Sequence, residues 1–129
     1  MAQKIRIGIL GAAGIAPKAV IEPAKSNAEV EIVAVAARDR DAAVAYAALH
    51  GIPVVHDSYQ DLLADPDIDV VYNPTPNGLH GVWTMAAVAA GKHVLCEKPF
   101  TANAEEARTV AAAVNATDRI VMEAFHYRY

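Results

Sequence analysis

The chain has 129 residues, 54% of them hydrophobic, with a formal net charge of −4. That length suits one domain with a core of its own, and the acidic balance argues against nucleic-acid or membrane-surface partners. No apolar run approaches the roughly 20 residues of a membrane span. The lone cysteine, Cys96, has no partner for an internal disulfide, and no apolar signal region precedes the first strand. A cytoplasmic, reducing setting is therefore expected, with no metal site.

Ile5–Leu10 reads as a buried strand running into Gly11-Ala12-Ala13-Gly14-Ile15-Ala16. A helix is predicted from Gly14 to Lys25, with Pro17 in the first turn, where a missing N–H costs nothing. Val30–Ala36 follows as a strand, then a helix from about Asp41 to His50, with Gly51 as its C′ residue. Val54–His56 is a short third strand. Ser58-Tyr59-Gln60-Asp61 resembles a capping box and opens a small helix that ends near Asp65-Pro66.

Ile68–Tyr72 is the fourth strand, and two prolines make Asn73-Pro74-Thr75-Pro76-Asn77 a loop. A helix from about Gly78 to Ala90 stops at Gly91, and His93–Cys96 is the fifth strand. Asn103, with Glu106 three residues on, caps a helix to about Asn115, and Ile120–Ala124 is the sixth strand. Strands alternating with helices predict an α/β fold, a doubly wound parallel sheet with helices on both faces over residues 1–129. Phe125-His126-Tyr127-Arg128-Tyr129 ends the chain on aromatics without a cap or polar tail. That ending predicts either a chain cut at a domain boundary or a strand end tucked against its own sheet.

Four segments carry chemistry. In the Gly-x-Gly-x-x-Gly/Ala template for a dinucleotide pyrophosphate, Gly11, Ala13 and Ala16 take the three fixed positions. Ala13 departs from the usual glycine, and Gly14 beside it restores room. Past the second strand, Ala37 and Arg38 stand where an NAD enzyme would carry an acidic residue for the ribose 2′-OH. A small residue followed by a guanidinium suits a 2′-phosphate, which favours NADP, with NAD as the alternative through Asp39. Arg38 and Arg40 could equally be solvated loop charges.

Asn73, Pro74, Thr75, Pro76, Asn77 and His80 fall at the end of the fourth strand, across the switch point from the first. The stiffened backbone and the Thr75 hydroxyl could meet a ribose or nicotinamide. Asn77 could instead be a helix N-cap, and His80 merely a first-turn residue. Glu97-Lys98-Pro99 follows the fifth strand and sets a lysine at the mouth of the sheet, a candidate proton donor and acceptor for a substrate hydroxyl. Methyltransferase and flavodoxin-like domains share the α/β pattern but leave Arg38 and Lys98 unexplained. No Gly-x-x-x-x-Gly-Lys-Ser/Thr run is present for P-loop chemistry.

Taken together, Gly11–Ala16, Thr75-Pro76-Asn77 with His80, Ala90–Pro99 and Met122–Tyr129 resemble the Gfo/Idh/MocA (glucose–fructose oxidoreductase/inositol dehydrogenase) oxidoreductases. The resemblance implies hydride transfer between a nicotinamide and a hydroxyl-bearing carbon on a sugar or polyol. It also implies a catalytic role for Lys98 beside the nicotinamide and a Lys98–Pro99 peptide that is often cis. Family members carry a second α/β domain with most of the substrate pocket, which this sequence does not contain. The expectation is therefore a cofactor-binding domain with little or no turnover by itself. The alternative is a non-catalytic nucleotide-binding module that self-associates through its aromatic end.

Overall fold

In the computed structural model, which describes residues 2–128, six parallel strands form one sheet in the order β3-β2-β1-β4-β5-β6. The strands are β1 (Ile5–Leu10), β2 (Val30–Ala36), β3 (Val54–His56), β4 (Val70–Asn73), β5 (His93–Glu97) and β6 (Val121–Ala124). The chain reverses direction across the sheet between β1 and β4, and this switch point opens a crevice at the carboxyl ends of the strands. Asn73, expected in a loop, is the last residue of β4, paired with Cys96. Proline disfavours helix in the residue before it but leaves extended backbone open, so Pro74 permits one more strand residue.

Alternation along the buried strands supplies two cores. Leu10, Ala34, Ala36, Val71, Val94 and Cys96 point to the face covered by α3 (Tyr59–Ala64) and α4 (His80–Ala89), with α5 (Ala104–Asn115) packed on α4. Ile9, Val35 and Tyr72 point to the other face, under the first helix and α2 (Arg40–His50). At Gly8 the sheet leaves no space for a side chain: a Cβ would lie 2.9 Å from Ile68 Cδ1 and 3.0 Å from Leu62 Cδ2.

The first helix differs from the expected continuous one. Residues Pro17–Ile21 form a π-helical stretch before α1 (Glu22–Lys25), and the Glu22 N–H donates to the Pro17 carbonyl. Pro17 does occupy the first turn, but Pro23 has no N–H for the carbonyl four residues back, and the widened turn absorbs it. Other caps follow the sequence. Ser58 Oγ accepts from Asp61 N, Asn103 Oδ1 accepts from Glu106 N, and Gly51 ends α2 at φ 71°. Lys92, 6% exposed, donates from Nζ to the carbonyls of Asp65 (2.6 Å) and Ile68 (2.8 Å), joining two turns at the amino ends of the strands. Among the described residues no helix is long and apolar enough to cross a membrane.

Candidate functional site

The turn after β1 is built on backbone. Gly11 adopts φ 107°, where a side chain is strained, and its N–H donates to the Ala36 carbonyl at 2.6 Å, fixing the turn to the end of β2. A Cβ there would also lie 3.3 Å from the Tyr59 hydroxyl. Ala13, the departure from the glycine template, has its carbonyl held by the Tyr46 hydroxyl at 2.8 Å. Ala12, Gly14 and Ile15 are exposed, and a Cβ on Gly14 would meet nothing within 4 Å. Ala16 is fully buried in the core with Ile9 and Ile21, so its side chain lets the helix approach the sheet and does not face the crevice.

One end of the crevice is a cavity of about 440 Å³ whose walls include Ala37, Arg38, Tyr59 and Trp83. The three charges that follow β2 have separate fates. Asp39 is the N-cap of α2, its carboxylate accepting from Asp41 N and Ala42 N, and Arg40 is paired with Asp57. Arg38 is exposed and makes no ion pair among the described residues. Tyr59 and Trp83 meet edge to face with ring centroids 4.9 Å apart, and burial raises the Tyr59 phenol above its ordinary range.

The other end is a cavity of about 610 Å³ bordered by Ile15, Thr75, Asn77, Lys98 and Phe125. Behind it lies a buried polar network. Asn73 Nδ2 donates to the His80 carbonyl (3.1 Å) and Thr84 Oγ1 (3.2 Å), while Asn73 Oδ1 accepts from the Thr75 hydroxyl (2.7 Å) and Thr75 N (3.3 Å). The His80 ring bridges the carbonyls of Thr75 and Pro99, each at 2.6 Å. Asn77 opens a 3₁₀ turn, Asn77–Leu79, and its side chain caps nothing, which removes the N-cap alternative. The Thr75 hydroxyl proton is committed to Asn73, so towards the cleft its oxygen can only accept.

Glu97 accepts from the Tyr72 hydroxyl at Oε1 (2.7 Å) and from Lys98 N at Oε2 (3.3 Å). Burial, reinforced by this bond to Glu97, pushes the Tyr72 phenol far above its ordinary range. Lys98 is exposed and precedes Pro99 through a cis peptide bond. Cys96 is fully buried beneath, and that burial pushes its thiol up to about 11, which makes it a poor nucleophile.

Ile15, Pro74, Thr75, Asn77, Glu97 and Lys98 thus border one cavity and Ala37 and Arg38 the other, with Gly11 tied to the end of β2 and Asn73 and His80 as buried framework. Pro76 is exposed beside Asn77. Tyr59 and Trp83, which sequence reasoning missed, complete the Arg38 end. Tyr59 stood inside the recognised capping box, and Trp83 sits one helical turn after His80. Phe125 (47% exposed) and Tyr127 (95% exposed) are not tucked against the sheet; Tyr129 lies outside the described residues.

Residues 5–125 match the family described as "Oxidoreductase family, NAD-binding Rossmann fold" (GFO_IDH_MocA). The chain belongs to the Gfo/Idh/MocA oxidoreductases. Among curated relatives of this family, D-xylose 1-dehydrogenase (NADP(+)) 2 of Haloferax volcanii is 50% identical over 95% of the chain and 37% of its own length. A dTDP-3,4-didehydro-2,6-dideoxy-α-D-glucose 3-reductase of Saccharopolyspora spinosa is 45% identical over 88% of the chain and 34% of its own length. A 3-ketoreductase from Actinomadura kijaniata, solved with NADP and TDP-benzene, superimposes with a TM-score of 0.89 at 34% identity, covering 95% of this chain and 38% of that one. The chain therefore corresponds to the NAD(P)-binding Rossmann domain of the family and spans about a third of these relatives' length.

Proposed function

We propose that the chain is the NADP(H)-binding part of an oxidoreductase that moves hydride between nicotinamide and a hydroxyl-bearing carbon of a sugar or polyol. The observation that carries the reading is Arg38, without an ion pair among the described residues, beside the small Ala37 in a cavity that starts one residue past Ala36, whose carbonyl holds the Gly11 N–H. The open backbone at Ala12 and Gly14 fits a pyrophosphate: no side chain fills that space, and the turn precedes a helix N-terminus.

In this reading Gly11, Ala12, Ala13, Gly14 and Ile15 line the pyrophosphate, and Ala16 holds the helix close. Arg38 pairs with the 2′-phosphate, with Ala37 leaving room for it. Pro74, Thr75, Pro76, Asn77, Glu97 and Lys98 surround the nicotinamide half, braced by Asn73 and His80. The nicotinamide, when bound, supplies or accepts hydride at the substrate carbon. Lys98 Nζ holds or releases the proton of the substrate hydroxyl, and Glu97 keeps the Lys98 backbone in place through its N–H. The chain spans about a third of its relatives' length, so turnover by these 129 residues alone is expected to be slight.

Isothermal calorimetry with NADPH and NADH tests the assignment. NADPH is expected to bind at least about ten-fold more tightly. Equal affinities, or no heat from either at millimolar concentration, would overturn it. The exposure of Phe125 and Tyr127 supports a second reading, a self-associating nucleotide-binding module without chemistry. A monomer by sedimentation, or robust sugar-dependent NADP reduction, would remove it.

A further inference from the structure

The His80 ring is 1% exposed, and its two nitrogens face two backbone carbonyls: Nε2 lies 2.6 Å from Thr75 O and Nδ1 2.6 Å from Pro99 O. Carbonyl oxygens only accept, and a neutral imidazole carries a single N–H. In either neutral tautomer one ring lone pair would point at a carbonyl oxygen at 2.6 Å, a repulsive contact in a dry site. Only the imidazolium donates to both. The partners belong to the two loops that border the Lys98 cavity, one after β4 and one after β5.

We propose that His80 is a positioning residue: its doubly protonated ring clamps the Thr75 and Pro99 carbonyls and thereby holds Lys98 in register with Asn77. The backbone of His80 is fixed independently by Asn73, whose amide donates to the His80 carbonyl, so the ring is free to act as the link between the loops. The ionisable groups on the surrounding elements are Cys96, Glu97 and Lys98 on β5 and at its end, and His126 and Tyr127 across the cavity. Glu123 on β6 accepts from Phe100 N at 2.7 Å, and Glu106 on α5 lies over Gly81. Among the described residues none of them hydrogen-bonds to the ring, and the two carbonyls are its polar partners. Loss of one ring proton should therefore release one loop from the other.

The clamp itself is independent of the cofactor; only the use made of Lys98 rests on the reading above. The test is ¹⁵N–¹H long-range correlation of the histidine rings in the intact labelled chain, followed from about pH 5 to about pH 9, with His80 assigned through its own backbone. The expected result is two protonated ring nitrogens, each donating to its carbonyl. Ring deprotonation should move the Lys98 and Phe100 amide resonances with it. Relative to His80→Gln at each pH, a reference that cancels the titration of the cofactor's 2′-phosphate, NADPH affinity should fall by roughly three- to ten-fold over the same step.

A single neutral tautomer across the whole range would overturn the proposal, as would ring deprotonation that leaves the Lys98 and Phe100 amides unmoved. The wild-type spectra decide this whether or not His80→Gln folds. A doubly protonated ring with coupled amide shifts but no NADPH binding would uphold the clamp and refute the cofactor assignment. NADPH binding over a neutral ring would do the reverse.

Discussion

The Tyr72 hydroxyl donates to Glu97 Oε1 at 2.7 Å, so a phenol in the middle of the sheet holds a carboxylate at the rim of the cleft. Tyr72 is 1% exposed, while Glu97 still reaches water. Tyr72→Phe removes the donor without opening a cavity, and the freed carboxylate can turn to solvent. The expected cost is about 1 kcal/mol, read as a lower urea midpoint at unchanged slope. A loss above about 3 kcal/mol would mean that Glu97 stays trapped without a partner.

Arg38 and Asp39 are neighbours with opposite commitments, and that separates two cofactor readings. Arg38→Ala should weaken NADPH by roughly ten- to a hundred-fold, the size of a charge-assisted phosphate contact, and leave NADH within about two-fold. The melting temperature should not move, since among the described residues the Arg38 side chain makes no hydrogen bond or ion pair. Asp39→Asn keeps a good N-cap and should leave NADH binding unchanged. A selective loss of NADH there would give the ribose to Asp39. Calorimetry on both variants decides.

All six strands were legible in the sequence because each is a short apolar run bounded by turn residues. Prolines shifted the first helix at Pro23 and the end of β4 at Pro74; elsewhere bounds moved by one or two residues, with β4 starting at Val70, β5 reaching Glu97, β6 starting at Val121 and α4 at His80. At the site, the glycine turn and the Glu97-Lys98-Pro99 end of β5 were readable because backbone geometry and strand ends fix them locally. The Tyr59–Trp83 pair, the Tyr46 bond to Ala13 and the Tyr72 bond to Glu97 were not. Those contacts join residues 24 to 33 positions apart, and nothing in a local pattern fixes which tyrosine faces which acceptor. Arg38 was readable as a candidate. Its freedom became visible only once Asp57 was seen to occupy Arg40.

Acid should unfold the chain through Asp69 and Asp65. Asp69 accepts from the Arg6 guanidinium at 3.0 and 3.1 Å and from Arg6 N at 2.9 Å, and the guanidinium bond above all holds its carboxyl below the usual range. Asp65 is held down first by the Asp67 N–H, then by His56. In the unfolded chain both titrate near about pH 4. Between that value and the lower folded ones the unfolded state binds more protons, so the stabilisation is complete above about pH 4 and is lost as pH falls further. Thermal melts from about pH 6 to about pH 2.5 should show this fall, and Asp69→Asn should flatten part of it. Added salt should shrink the Asp69 share, because that side chain is 38% exposed. A pH profile unchanged in Asp69→Asn would remove Asp69 from the account.

Lys92 tests whether stability and binding can be separated. Burial lowers its pKa, with the Asp65 and Asp69 charges pulling the other way, and its Nζ satisfies two carbonyls at the amino ends of the strands. Lys92→Met keeps the apolar stem and removes the donors, leaving the Asp65 and Ile68 carbonyls to water or to nothing. The expected loss is about 2–3 kcal/mol by chemical denaturation, from the exposed desolvation cost of the two acceptors. The cleft lies at the opposite end of the strands, so the NADPH dissociation constant of the folded protein should stay within about two-fold. A loss under about 0.5 kcal/mol would show that water replaces the ammonium. A matching fall in NADPH affinity would show that the two ends of the sheet are coupled.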